Sequence, residues 1–299
     1  MRLVAIVCSA LLPSCVRHVP APNTSGFGDR LRTRLADERP IDAASMPGAR
    51  QLHFLFVGGF LNETIPGYFG DNLPVVRDEL GATASTLFPP SGGDLERDAE
   101  LITAEVLRLS DEHQKPIALI GHSKGGAAAV LAVLRDPSLV RSGRVEHVVS
   151  IQGALKGSPV ADALVQSLPI PMLHAAFKGL GSLTRGRAEA AFRRLAVPPD
   201  VAGWSARRLH FVRSMETTGQ VSQELGLTHA FLTQHGSGRS DGLLLEEDQW
   251  LPGLGHDLGV LRGDHAAFTI ASPLSNGAAA SRRAFTRALL EELFIVERD

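Results

Sequence analysis

The sequence predicts an α/β fold with a mostly parallel central sheet covered by helices on both faces. Two observations carry that expectation. Short, continuously apolar runs bounded by turn residues alternate with longer stretches of helical period, and a Gly-x-Ser-x-Gly motif sits where one such run meets one such helix. At 299 residues and 44% hydrophobic composition, the chain is long enough for one large core. Its 30 basic and 32 acidic residues leave a formal charge of −2 and are scattered, without the basic stripe that nucleic-acid binding requires. Nucleic acid is not an expected partner.

The first segment reads as an address. Met1-Arg2 precedes an apolar run from Leu3 to Leu12 that is too short to span a bilayer, as in a secretory signal peptide. The run ends in Leu12-Pro13-Ser14-Cys15, which resembles the bacterial lipoprotein signal box. By that resemblance residues 1–14 are removed, Cys15 is lipidated, and the exported protein is held on a membrane by its N-terminal lipid. A plain cleaved signal and an uncleaved start are the alternatives. Cys8 and Cys15 are the only cysteines, so cleavage before Cys15 leaves no internal disulfide. Residues 15–50, rich in Pro, Arg, Asp and Ser without a sustained apolar period, read as a tether and surface segment ahead of a domain at 51–299.

Within that domain Leu52 to Val57 is an apolar strand running into Gly58-Gly59. A helix follows at Asn72 to Leu80, then a strand at Thr83 to Leu87 stopped by Pro89-Pro90. Asp94 to His113 is the clearest helix, with Leu95, Ala99, Ile102, Val106 and Leu109 on one face and Asp94 as its cap. Pro116 to Ile120 is a strand, Gly125 to Leu134 a small-residue helix, and Val145 to Ile151 a strand. Residues 164–203 interrupt the rhythm with two short helical patterns between prolines, read either as a cap over the sheet or as ordinary layer helices. Strands resume at Arg208 to Met215 and Leu258 to Leu261, and Ser281 to Val296 closes the chain as a helix.

The sharpest chemical signal is Gly121-His122-Ser123-Lys124-Gly125, between the Ile117–Ile120 strand and the following helix. A serine at such a turn is forced into a strained conformation that lifts its hydroxyl above the sheet, and the flanking glycines avoid collision with the neighbouring strand and helix. The alternative, a glycine turn serving only close packing as in nucleotide-binding folds, lacks their phosphate-loop spacings.

With this motif the chain resembles the α/β-hydrolase superfamily, and within it the bacterial triacylglycerol lipases and esterases. Gly121 to Gly126 is similar to their elbow, Ser150 to Ser158 stands where they have T-P-H-x-G-S, and Ser240-Asp241-Gly242-Leu243 resembles their N-D-G-L-V. The likeness spans roughly residues 51 to 268. It implies Ser123 as nucleophile, Asp241 as the acid and His265 as the base, in the chain order of that fold. Asp241 lies in a polar turn, where an aspartate before glycine also bonds its own backbone, and His265 follows the last strand through Arg262-Gly263-Asp264. Among rivals, His256 precedes that strand and His122 faces away inside the elbow. His229 and His235 line a loop or meet solvent, and Asp257 and Asp264 stand beside the histidine loop. The resemblance further implies an oxyanion hole from the backbone N–H groups of Lys124 and of Phe60, matched through Gly59-Phe60.

Two departures mark the chain. Gly58-Gly59-Phe60 stands where those lipases have H-G-x, and Gln152 to Lys156 replaces their T-P-H-x. The acidic residue that calcium-dependent lipases carry two positions after the histidine is Ala267 here, so no metal and no cofactor is expected. The expected function is serine-dependent hydrolysis of apolar acyl esters, small-molecule or lipid, through an acyl-enzyme. Acyl transfer or thioester hydrolysis by the same residues, and non-catalytic binding on the same fold, are the alternatives.

Overall fold

The computed structural model describes residues 26–167, 178–235, 238–271 and 278–295. The expected signal segment and Cys15 lie outside the described residues. Six strands, β1 (His53–Val57), β2 (Thr83–Leu87), β3 (Ile117–His122), β4 (Val145–Ile151), β5 (Leu209–Met215) and β6 (His256–Arg262), form one sheet in the order β2-β1-β3-β4-β5-β6. Every neighbouring pair is parallel, so each connection must return over a face of the sheet, and helices supply the cover. This is the fold class that the sequence predicts, and β2 and β4 begin and end at the residues expected for them.

Alternating strand residues point to two separate cores. On one face Phe54, Phe56, Ala118, Ile120, Val149 and Val212 pack beneath the closing helix, α9 (Ala279–Phe294). On the other, Leu55, Val57, Ile117, Leu119, Val148 and Phe211 pack beneath α2 (Leu95–His113) and α3 (Lys124–Arg135). The α2 stripe is the expected one, and Asp94 caps it by accepting from the Arg97 amide at 2.9 Å. Helix α3 is buried from Lys124 to Leu134, which its run of Gly and Ala permits by letting the backbone lie close to the sheet.

The domain starts earlier than the sequence suggests. Gly26–Ala36 is a helix, α1, whose Phe27 and Leu31 are buried against α9, with Phe27 meeting the edge of Phe285 at 5.9 Å between centroids. Ile41, Met46 and Ala49 continue the same core, so residues 26–50 are part of the packed body rather than a surface segment. Phe27, Leu31 and Leu35 recur at four-residue steps, but over only eleven residues rich in charge, too short a window for a clear periodic signal. Arg30–Glu292 at 2.8 Å and the Arg34–Glu291 pair bind the two helices along their rims.

The β4–β5 connection carries α4 (Pro159–Ser167), α5 (Lys178–Ser182), α6 (Arg185–Arg193) and α7 (Pro199–Arg208). Of the cap expected at 164–203, the described part from Lys178 onward belongs to the layer. Leu180, Leu183, Ala188, Phe192 and Val201 join the core beneath α2 and α3, and α7 packs on β4, β5 and β6. A smaller, separate cluster pairs α4 with α8 (Gly226–His235), where Val160 and Leu232 close on Leu245.

At the opposite end of the sheet His147 and His210 are buried on β4 and β5, with ring centroids 5.8 Å apart. Burial pushes their pKa values down to about 2 and about 3 from 6.5, and Arg208 donates to Nε2 of His147 at 3.0 Å, which requires a neutral ring. Both rings take up protons near pH 6.5 when the chain is unfolded but resist doing so when folded. Stability is therefore complete above that pH and lost as the pH falls below it towards the folded values, by up to about 1.4 kcal/mol per pH unit for each ring. Urea midpoints measured from about pH 7 to about pH 4.5 should fall steadily, and His210→Phe should flatten the slope.

Candidate active site

The elbow is built by close approach. Ser123 links β3 to α3 with φ 57° and ψ −124°, a left-sided conformation that costs on the order of 1–3 kcal/mol and persists only because its surroundings dictate it. A Cβ on Gly121 would lie 2.5 Å from the Gly125 carbonyl oxygen, and one on Gly125 would lie 2.4 Å from that of Gly58. Only glycines allow the end of β1, the end of β3 and the start of α3 to meet here. The Ser123 amide bonds the Ile151 carbonyl at 3.0 Å, which ties the turn to β4 as well.

Three residues far apart in sequence converge at this turn. His265, in the loop after β6, brings Nε2 to 2.8 Å from the Ser123 hydroxyl oxygen, and its Nδ1 lies 2.7 Å from Oδ2 of Asp241. The His265 amide also bonds the Asp241 carbonyl at 2.8 Å, so ring and backbone are held by the same residue. Asp241 is fully buried. Its Oδ1 accepts from the amides of Leu243 and Leu244 at 2.9 and 2.8 Å, and its Oδ2 also accepts from Gln249 Nε2 at 3.2 Å. The turn-forming role of an aspartate before glycine and the bond to the imidazole are thus met by its two oxygens separately. Gln249 is itself clamped to the backbone of Ser214 at 2.7 and 2.9 Å.

The loop after β1 crosses the elbow. A Cβ on Gly59 would stand 2.8 Å from that of Ser123, so Phe60 follows directly on the residue that touches the serine, and Lys124 follows the serine itself. Phe60 is half-buried against the core of the α2 and α3 face. The Lys124 side chain has a place the sequence did not suggest. It turns into the protein, 2.8 Å from Oδ2 of Asp98 on α2 and 2.6 Å from the Gly93 carbonyl, with both charged side chains 2% exposed. Desolvation holds the Asp98 carboxyl above its usual range, with Lys124 acting in the opposite direction.

The rival residues have other positions. His256 is exposed at the start of β6, the far end of the sheet from Ser123. Asp257 pairs with Arg213, and Asp264 accepts from the amides of Ser222 and Ala266. His229 is not at a loop surface: it is buried and donates to the Glu216 carbonyl at 3.0 Å. The side chain of His235 lies outside the described residues. The His122 ring bonds Tyr68, Gln152 and the His265 carbonyl, and lies 4.8 Å from the ring of His265. Tyr68, Gln152 and Gln249 carry no motif, and only the substitution of Gln152 into a lipase-like segment drew attention to any of them. Among the described residues no cluster of three or more His, Cys, Asp or Glu is arranged to hold a metal.

The all-parallel six-stranded sheet, the elbow after its third strand and the acid and histidine loops after its fifth and sixth make this the α/β-hydrolase fold. Among solved structures, the chain is similar to the metagenomic carboxyl esterase MGS0156, at 21% identity over 97% of both chains with a TM-score of 0.69. It is also similar to the mature Bacillus licheniformis lipase BlEst2, at 18% identity over 80% of this chain and 90% of that one, TM-score 0.59. No protein-family model and no curated protein sequence matches it.

The buried pair of Lys124 and Asp98 has a measurable signature. Lys124→Met strands a carboxyl in the interior and should lower unfolding free energy by about 3 kcal/mol, whereas adding Asp98→Asn to it should recover part of that loss. Chemical denaturation of the two single variants and the double variant measures both effects.

Proposed function

We propose that the protein is a serine-dependent hydrolase of carboxylic esters with apolar acyl groups, acting through an acyl-enzyme. The observation that carries this reading is the continuous hydrogen-bonded chain from the Ser123 hydroxyl through the His265 imidazole to the buried Asp241 carboxylate. In it, His265 Nε2 takes the Ser123 proton as the oxygen attacks the ester carbonyl, and later delivers it to the leaving alkoxide. Asp241 keeps the proton of His265 on Nδ1 in the resting state and stabilises the imidazolium as it forms. Water then repeats the sequence on the acyl-enzyme and releases the acid.

Negative charge on the carbonyl oxygen is met by the backbone N–H groups of Lys124, at the N-terminus of α3, and of Phe60, beside Gly59. The apolar preference is supported by the residues next to the crossing loop: Phe60 is half-buried, and Leu61 and Phe88 are 38% and 42% exposed. The names of the two similar structures, a carboxyl esterase and a lipase, agree with it. The same reading places the protein outside the cytoplasm on a lipid anchor at Cys15, supported by Leu12-Pro13-Ser14-Cys15.

Two experiments test these statements. Ser123→Ala should lower turnover of p-nitrophenyl esters by at least about 1000-fold without changing the melting temperature by more than a few degrees, and retained activity would refute the mechanism. Expressed in a bacterial host with radiolabelled palmitate, the wild-type chain should take up label and partition with membranes, and Cys15→Ala should do neither.

A further inference from the structure

The Tyr68 hydroxyl joins two loops that the proposed reaction needs in register. It lies 3.0 Å from the Gly59 amide and 2.6 Å from Nδ1 of His122, and Nε2 of His122 lies 2.8 Å from the carbonyl oxygen of His265. The direction of each bond follows from the chemistry of the groups. A carbonyl oxygen only accepts, so His122 carries its proton on Nε2. Nδ1 is then a lone pair and accepts from the Tyr68 O–H, whose oxygen accepts in turn from the Gly59 N–H. One unbroken run of donors and acceptors therefore connects the loop after β1, the elbow and the loop that carries His265.

The surroundings enforce this arrangement. His122 is 1% exposed, and burial, together with the adjacent His265, holds its pKa well below the usual imidazole range, so the ring stays neutral. Gln152, in a left-handed conformation at φ 48° at the end of β4, lends Oε1 to His122 Nε2 at 3.2 Å and donates Nε2 to the Asp264 carbonyl at 2.8 Å. It also donates to the Ser214 hydroxyl. His122 and Gln152 thus hold two consecutive carbonyls of the histidine loop, those of Asp264 and His265. None of these side chains bonds the Ser123 hydroxyl, the His265 ring nitrogens or Asp241 among the contacts of the described residues.

We infer that Tyr68 and His122 are positioning residues that lock the Gly59–Phe60 loop and the His265 loop to the elbow, so that the base and the carbonyl-oxygen donors keep one geometry. The inference rests on the ester-hydrolase reading and deepens it. Positioning matters because a displacement of about 1 Å between base and nucleophile costs on the order of 100-fold in rate, while substrate binding need not change. Tyr68→Phe removes one oxygen and leaves both the Gly59 amide and His122 Nδ1 without that partner. His122→Phe keeps a ring of similar size but breaks the chain at its centre. His122→Gln restores an amide donor towards the His265 carbonyl.

The test combines kinetics with hydrogen exchange in the full chain. Tyr68→Phe and His122→Phe should each lower kcat on a p-nitrophenyl ester by about 10- to 100-fold with KM within about twofold, and should slow labelling of Ser123 by a fluorophosphonate to match. The double variant should be no slower than the slower single, because both break the same chain, and His122→Gln should recover part of the loss. Amide exchange followed in the Ser123→Ala background, where no turnover is needed, should quicken in both residues 58–61 and 264–268 when Tyr68 becomes Phe. Folded variants with wild-type kcat, or exchange that quickens in only one of the two loops, would overturn the inference. A wild-type chain that neither turns over esters nor takes the fluorophosphonate sinks the ester-hydrolase reading instead, and the exchange result distinguishes that failure from this one.

Discussion

Everything at the candidate site depends on how closely three backbone segments approach one another beneath Ser123. The end of β1, the end of β3 and the start of α3 meet at distances no side chain would tolerate at Gly121 or Gly125. That contact is what holds the serine at φ 57°. A strained residue on an open loop would relax; here the backbone has no room to do so, and the cost of the conformation is carried by the large apolar cores on either side of the sheet. Rigidity at the elbow is thus a property of the layers and not of the motif alone.

The other two members of the chain reach the serine from loops, and loops need a different kind of restraint. Polar side chains supply it. Gln249 pins Asp241 to the backbone of β5, and Gln152 and His122 hold the carbonyls of the histidine loop. Arg213, which pairs with both Glu246 and Asp257 and lies 4.7 Å over the ring of Trp250, ties the acid loop to β5 and β6. Each of these groups is satisfied on more than one side, which is the condition under which a buried polar network specifies a single arrangement. The loops behave as extensions of the sheet.

How much of this was legible in the sequence follows from the range of the signal. The β2 and β4 boundaries, the Asp94 cap and the elbow are written in adjacent residues: an apolar run and its stop, a capping carboxylate three residues from its partner amide, glycines around a serine. Asp241 and His265 are candidates only through the resemblance, which supplies an order for residues that share no local pattern. Tyr68 and Gln249 carry no local signal, and Gln152 stands out only as a departure from the lipase-like segment, because their partners lie in other elements, His122 being 54 residues from Tyr68 and Asp264 112 from Gln152. Helix α1 is obscure for the converse reason: it is short and charged, only Phe27 and Leu31 of its apolar side chains are fully buried, and their value comes from a surface that the far end of the chain provides.

That pairing of α1 with α9 has a bearing on how the molecule is assembled. The core under α2 and α3 draws on chain from Leu55 to Leu244, whereas the opposite core is closed by elements nearer the two extremities, with Arg30 and Glu292 separated by 262 positions. At synthesis rates of roughly 5–20 residues per second, Phe27 waits on the order of tens of seconds for Phe285 to exist. Until then the face that carries Phe54 lacks the closing helix, whose Phe294 ring lies 6.3 Å from that of Phe54, and has only its earlier partners such as Phe69 on Phe56. The face under α2 and α3 can thus be covered first, while the opposite face is closed by the last sixteen-residue helix to arrive.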